Sequence, residues 1–265
     1  MINLKNFVKS CIVIILLIIL IVLSYNFIVM KAVSKFSLEK SSSEAINDNL
    51  PFIIDKITLY SSISGSSQDS NIDKSSWVLN LYQYTDISIS LARSVEDLSK
   101  SNTIKELYIE NINFYNSPKI GTPSLYYLDS KNFGTEDYSE NDKIEEELKF
   151  TVVNNRNEDN SISTNTPILF TDLSNPITLK YVNHNVYKNF VFPTSESISF
   201  DGSLLNRIDI PTADLECSFS FYVVIVNNNN ETFKHLLNIK VPIDNIQSGH
   251  IVETNDNLDY KFIKE

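Results

Sequence analysis

Glycine is scarce in this chain: five residues in 265, alongside two cysteines, two methionines, one tryptophan and three histidines. Each shortage closes a route. No GxSxG elbow and no GxxxxGK[ST] loop occurs, so neither an exposed serine nucleophile nor a phosphate cradle of those kinds is written here. Zinc needs clustered Cys and His, and neither HExxH nor CxxC is present. Cys217 is the one cysteine beyond residue 40. No disulfide can close within that region, and its stability must come from a hydrophobic core. With so little glycine, tight turns fall to Asn and Asp, which tolerate left-handed backbone geometry. The run Asn227-Asn228-Asn229-Asn230 is the clearest such turn.

Positive charge is also in deficit. The chain holds 22 Lys and Arg against 33 Asp and Glu, a net charge of −11. Residues 1–40 contribute five Lys and one Glu, which leaves −15 on residues 41–265. Such a surface repels nucleic acid, and no basic stripe provides a footprint for it. DNA and RNA are excluded as partners.

What the chain does possess is an apolar run from Cys11 to Met30, free of charge and rich in Ile, Leu and Val. Twenty residues of helix rise about 30 Å, the thickness of the bilayer hydrocarbon core. Lys5 and Lys9 precede it. A cleaved secretory signal has a shorter apolar core, and Ala32-Val33-Ser34 makes a weak cleavage site. No lipobox precedes Cys11. The segment reads as an uncleaved signal-anchor embedded in the lipid bilayer through residues 11–30. Lysines flank it on both sides almost equally (Lys5 and Lys9 before; Lys31, Lys35 and Lys40 after), so charge alone does not orient it. A short head before a strong apolar segment stays in the cytoplasm, and large domains translocate with little regard for charge. Residues 1–10 are therefore read as a cytoplasmic head, 11–30 as the membrane helix, 31–50 as a polar stalk or helix extension, and 51–265 as a β-rich domain outside the cytoplasm at the cell membrane.

Alternating patterns dominate 51–265. Strands are expected at 52–60, 77–91, 105–115 (with a bulge at Asn111), 125–128, 148–153, 177–182, 187–192 and 197–200. A hairpin is expected in which Cys217, Phe219, Phe221, Val223 and Ile225 share one face. Phe233, His235, Leu237, Ile239 and Val241 share the facing one. A last strand pair is expected at 251–253 and 260–263. Ser-rich 61–76 and polar 154–166 read as loops, 94–102 as a polar turn or short helical piece, and 140–147 as a brief helix capped by Ser139. No amphipathic helices alternate with the strands, which excludes a parallel α/β sheet. The fold class is all-β: a single N-terminal transmembrane helix followed by a β-sandwich-like exported domain. Two small β-domains divided near 134–166 are the alternative division.

Candidate chemistry is thin. His235 lies on an apolar face and reads as a core histidine bonded to a neighbour. His184, between Asn183 and Asn185, reads as a turn residue. Cys217 on its apolar face reads as structural, since burial keeps a thiol protonated. Asp69-x-Asn71-x-Asp73 opens like a calcium loop, but Lys74 replaces the glycine and Asn80 the closing glutamate. No catalytic residue, metal ligand or cofactor is assigned. Four tyrosines are singled out as ligand-binding candidates: Tyr82 and Tyr84 on the polar face of their strand, and Tyr126 and Tyr127 near a turn. Exposed tyrosines on a sheet stack on sugars or dock protein partners.

The expected function is a membrane-anchored, non-enzymatic binding or structural module that meets a cell-envelope protein or glycan. One alternative is an envelope or pilus-like assembly subunit, although the processing glycine that pilins carry before the apolar run is absent. The other is an exported glycan hydrolase working through two carboxylates.

Overall fold

Alternating side chains and asparagine turns build two facing, mainly antiparallel sheets. The computed structural model describes residues 51–67, 76–93, 103–153, 166–170, 176–193 and 196–265. The apolar run 11–30, the segments 31–50 and 94–102, the Asp69–Asp73 motif and loop residues 154–165 lie outside the described residues. Among the described residues no helix is long and apolar enough to cross a membrane.

The strands in chain order are β1 (Phe52–Ser67), β2 (Ser76–Arg93), β3 (Ile104–Asn116), β4 (Thr122–Tyr127), β5 (Glu147–Val153), β6 (Ile168–Phe170) and β7 (Ile177–Pro193). A single helical turn, α1 (Leu204–Arg207), precedes β8 (Ser218–Asn227), β9 (Thr232–Lys240), β10 (Ile251–Lys261) and β11 (Ile263–Lys264). The first sheet has the order β10-β1-β2-β7-β4 and the second β11-β9-β8-β3-β5-β6. All pairs are antiparallel except β5 with β6. The domain is all-β, two sheets packed face to face, and Asn49–Glu265 forms one compact unit.

In β2 the odd-numbered residues Leu79, Leu81, Ile87 and Ile89 point inward and are fully buried. The same alternation turns Ile177, Leu179 and Tyr181 of β7 and Phe219, Phe221, Val223 and Ile225 of β8 into one core. Tyr181 and Phe219 stack across the two sheets, ring centroids 5.8 Å apart, and Phe52 meets Phe233 edge-on at 5.5 Å. Burying each large apolar side chain contributes roughly 1.5–3 kcal/mol, which replaces the disulfides that the region lacks.

The final hairpin forms as its pattern requires, with Phe219 opposite Ile239 and Ile225 opposite Phe233. Asn227 closes its turn: Oδ1 accepts the N–H groups of Asn229 and Glu231, and Asn230 sits at φ +61°. Among the described residues, asparagine and aspartate supply the other left-handed non-glycine positions, including Asn111 at the β3 bulge.

Four strand expectations are corrected. The Ser-rich segment after Tyr60 is not a loop throughout, because β1 runs on to Ser67, paired with β2 as far as Leu79. Its serines are held by strand partners, Ser61 Oγ lying 2.7 Å from Thr85 Oγ1 inside the sandwich. The segments 177–182 and 187–192 are one strand, β7, because Asn185 and Asn189 adopt positive φ and absorb register shifts against β2 as bulges. Residues 197–200 form no strand. The 251–263 region is no hairpin: β10 lies along β1 in the first sheet, and after buried Phe262 the chain passes to β9 in the second. Residues 140–142 make one 3₁₀ turn, with Ser139 accepting the Asn141 N–H as cap.

Gly202 lies against the backbone of the 246–248 turn, where an added Cβ would sit 1.7 Å from the Ile246 carbonyl oxygen. Gly202→Ala is expected to lower unfolding stability by about 2 kcal/mol or more through forced displacement of that turn, read as a fall in the urea midpoint at unchanged slope.

Candidate functional site

The outer face of the first sheet is the unusual surface of this domain. Even-numbered residues of β2 place Tyr82, Tyr84, Asp86 and Ser88 on it. The register with β7 sets Asp86 beside Lys180 and Tyr84 beside Val182. β4 adds Tyr126 next to Lys180, and β1 adds Tyr60 next to Asp86. A polar outer face ordinarily meets water. Here a strap, residues 128–144, lies across it and makes a second small core of Tyr84, Tyr126 and Val182, flanked by Tyr82 and Tyr138.

The strap is tied at both ends. Leu128 exchanges hydrogen bonds with Thr178 of β7: its N–H donates to the Thr178 carbonyl at 3.1 Å, and its own carbonyl accepts the Thr178 hydroxyl at 2.6 Å. At the far end the Ile144 N–H donates to the Leu125 carbonyl at 2.8 Å. Between them are two 3₁₀ turns, capped by Asp129 and Ser139. Gly134, at φ +82°, carries the backbone over the strands.

Asp86 and Lys180 sit beneath its middle, with side chains 1 % and 0 % exposed and Oδ1 2.5 Å from Nζ. The strap meets both. The Gly134 N–H donates to Asp86 Oδ2 at 2.6 Å, and Lys180 Nζ donates to the Thr135 carbonyl at 2.7 Å. Tyr84 covers the ammonium from one side, its ring centroid 5.6 Å from Nζ. Burial raises the Asp86 carboxyl above its ordinary range, outweighing the opposing pull of Lys180 and Gly134.

Beside this pair lies an aromatic cluster. Tyr138 of the strap packs on Tyr126 with centroids 4.9 Å apart, on His184 at 5.8 Å and on Tyr84 at 6.2 Å, while Tyr82 stacks on Tyr84 at 6.0 Å. The Tyr126 hydroxyl lies 2.8 Å from His184 Nε2 and 3.1 Å from Glu140 Oε2. A phenol has one proton: it donates to the Glu140 carboxylate, which can only accept, and so accepts from the His184 Nε2–H. Burial and Glu140 push the Tyr126 hydroxyl up to about 12, and burial also raises Tyr84 and Tyr138. Burial lowers His184, against an opposing contribution from Glu140.

The four tyrosines do not form one open platform. Tyr84 and Tyr126 are buried, their rings engaged by neighbours. Tyr82 is half-buried at the cluster's margin. Tyr127 turns away from Tyr126, contacts Phe150 edge-on at 6.4 Å, and lines a cavity of about 330 Å³ with Asp129, Lys131, Asp137, Tyr138 and Asp142. The pattern of residues missed Lys180, Tyr138 and the place of His184, which is in β7 rather than a turn. One signal was present: Lys180 interrupts the apolar start of β7, and Asp86 lies between the tyrosines and the apolar residues of its neighbour β2.

Elsewhere His235 Nδ1 lies 3.0 Å from the Lys261 carbonyl, and burial lowers its pKa. Cys217 is buried and free beside Tyr181, and burial raises its thiol. Among the described residues no three His, Cys, Asp or Glu side chains converge on a point where a metal could sit. Comparison with protein-family models, with curated proteins and with solved structures finds no match to this chain.

Two outcomes follow from this geometry. Tyr138→Ala removes the strap's main ring contact. Amide exchange at Gly134 is expected to accelerate roughly tenfold or more, equivalent to about 1.4 kcal/mol of local opening, read by hydrogen–deuterium exchange. The pH dependence has a definite sign. His184 and His235 have folded pKa values below their ordinary 6.5. The unfolded chain therefore binds more protons in the window beneath 6.5, and stability present above it is lost as pH falls through it. A double His184→Gln, His235→Gln variant is expected to lose less stability than wild type between neutral and mildly acidic pH, as measured by denaturant unfolding at each pH.

Proposed function

We propose that this chain is a single-pass membrane protein, anchored in the bilayer through residues 11–30. Its β-sandwich lies outside the cytoplasm and has a non-enzymatic binding role at the cell envelope. The observation that carries this reading is the uncharged run Cys11–Met30 ahead of an all-β domain. The acidic charge of residues 41–265 fits a surface kept soluble and apart from nucleic acid.

The binding site in this reading is the cavity at the edge of the strap. Its volume is in the range of small-ligand sites. Two tyrosines, Tyr127 and Tyr138, supply ring surface, while Asp129, Asp137 and Asp142 supply acceptors. That combination suits a hydroxyl-rich ligand, a glycan of the envelope, whose hydroxyls donate to carboxylates and whose ring faces stack on aromatics. Tyr82, half-buried, packs on Tyr84 and His184 in the cluster behind the cavity. Tyr84 and Tyr126 support it from beneath.

External protease added to intact cells carrying a C-terminal tag tests the location. Loss of the tag before lysis is the expected result, and survival until lysis, in wall-stripped cells as well, overturns it. For the ligand, retention of the full chain on purified envelope polysaccharide is expected to fall at least about tenfold in Tyr127→Ala, a loss of about 1.4 kcal/mol. Equal retention of wild type and variant overturns the glycan site. Turnover of the polysaccharide, abolished by one Asp or Glu change, would instead favour a hydrolase.

A further inference from the structure

Buried lysine and aspartate side chains are each costly to desolvate, and mutual attraction only partly offsets that cost. The arrangement around Asp86 and Lys180 is better suited to a reaction than to a lasting ion pair. Nζ is 2.5 Å from Oδ1, yet no aligned hydrogen bond reaches Oδ1 among the described residues. The other polar atoms are engaged. Oδ2 accepts the Gly134 N–H, and Nζ donates to the Thr135 carbonyl. Within the pair, the one oxygen without an aligned hydrogen bond therefore belongs to the carboxyl group that the nitrogen crowds.

We propose that Lys180 and Asp86 condense to an amide, a covalent cross-link between β7 and β2. The step balances without a co-reactant. One ammonium proton passes to Oδ1, leaving a neutral amine beside a neutral carboxylic acid. The Nζ lone pair attacks Cγ, and the developing negative charge falls on Oδ2, where the Gly134 N–H already points. A second proton moves from nitrogen to the Oδ1 hydroxyl. The Cγ–Oδ1 bond breaks and water leaves, so Nζ keeps one hydrogen.

The product fits the site better than the reactants. The new N–H keeps its acceptor at Thr135, the new carbonyl keeps its donor at Gly134, and the unsatisfied oxygen is gone. Two buried charges disappear with it. Adjacent strands hold the groups in register, Asp86 opposite Lys180, which supplies the proximity that condensation requires. Tyr84 and the strap exclude the water that would reverse it. Tyr60, flanked by Asp86, and Tyr126, on the other side of Lys180, close the remaining neighbours on the sheet.

Peptide mapping of the purified full chain, digested with trypsin after denaturation, tests this directly. Trypsin does not cleave after an amidated lysine. The expected species is residues 157–188, uncut at Lys180, joined to residues 75–93 with the loss of one water. On a denaturing gel the wild type, closed into a loop between positions 86 and 180, runs faster than Lys180→Met, which cannot form the bond. Complete cleavage after Lys180 together with unmodified 75–93 overturns the proposal. So does a mass one water lighter whose modification maps to any other position. The wild-type map decides without reference to whether the variant folds, and it is independent of the glycan reading.

Discussion

The strap depends on two charges that would otherwise have no reason to be buried. Asp86 and Lys180 each meet the other and each meet a backbone group of residues 134–135. Removing water from such groups costs several kcal/mol per ion unless partners replace it, and here the replacement comes from a segment with no strand of its own. The dependence is mutual. Without the strap, Asp86 and Lys180 would return to solvent and Tyr84, Tyr126 and Val182 would lose their cover. Without the pair, the strap would retain its ends and its tyrosine contacts but nothing polar at its centre.

This explains why the domain has two cores of different character. The inner one is set by strand alternation and tolerates exchange among apolar residues of similar volume. The outer one is aromatic and hydrogen-bonded, with Tyr138 touching Tyr84, Tyr126 and His184. Polar networks of this kind are specific because each member left unpaired is costly. The cavity at the strap's edge inherits that definition: Tyr138, one of its walls, is held by the cluster behind it.

Much of the sandwich is legible in the residues themselves. The β8–β9 hairpin, the β3 bulge at Asn111 and the use of Asn in turns follow from local pattern and backbone sterics. What failed was of two kinds. Asn183 and Asn185 around His184 resemble a turn in sequence, and only pairing with β2 shows the place to be a bulge within one strand. The terminal segment 251–263 looks like a strand pair because its main partner, β1, is far away in the chain and its last residues turn to β9 in the other sheet. The candidate site was half visible. Alternation put Tyr82, Tyr84 and Asp86 on one face. Nothing local said that residues 128–144 would fold back over it, since strap-to-sheet contacts depend on strand register that no single segment encodes.

The pairing of β1 with β10 also imposes an order on folding. Ile57 lies opposite Asn255 and Leu59 opposite Glu253, so one edge of a strand made early waits for residues 251–261 before its ladder closes. Closing so long a loop is entropically unfavourable and is rewarded only once both strands are present. During synthesis β1 and β2 form a hairpin whose outer hydrogen-bonding groups stay open until residue 261 emerges, an exposed edge able to recruit other chains. The first sheet is thus completed only once residues 251–261 have been made, however early β1 and β2 find each other.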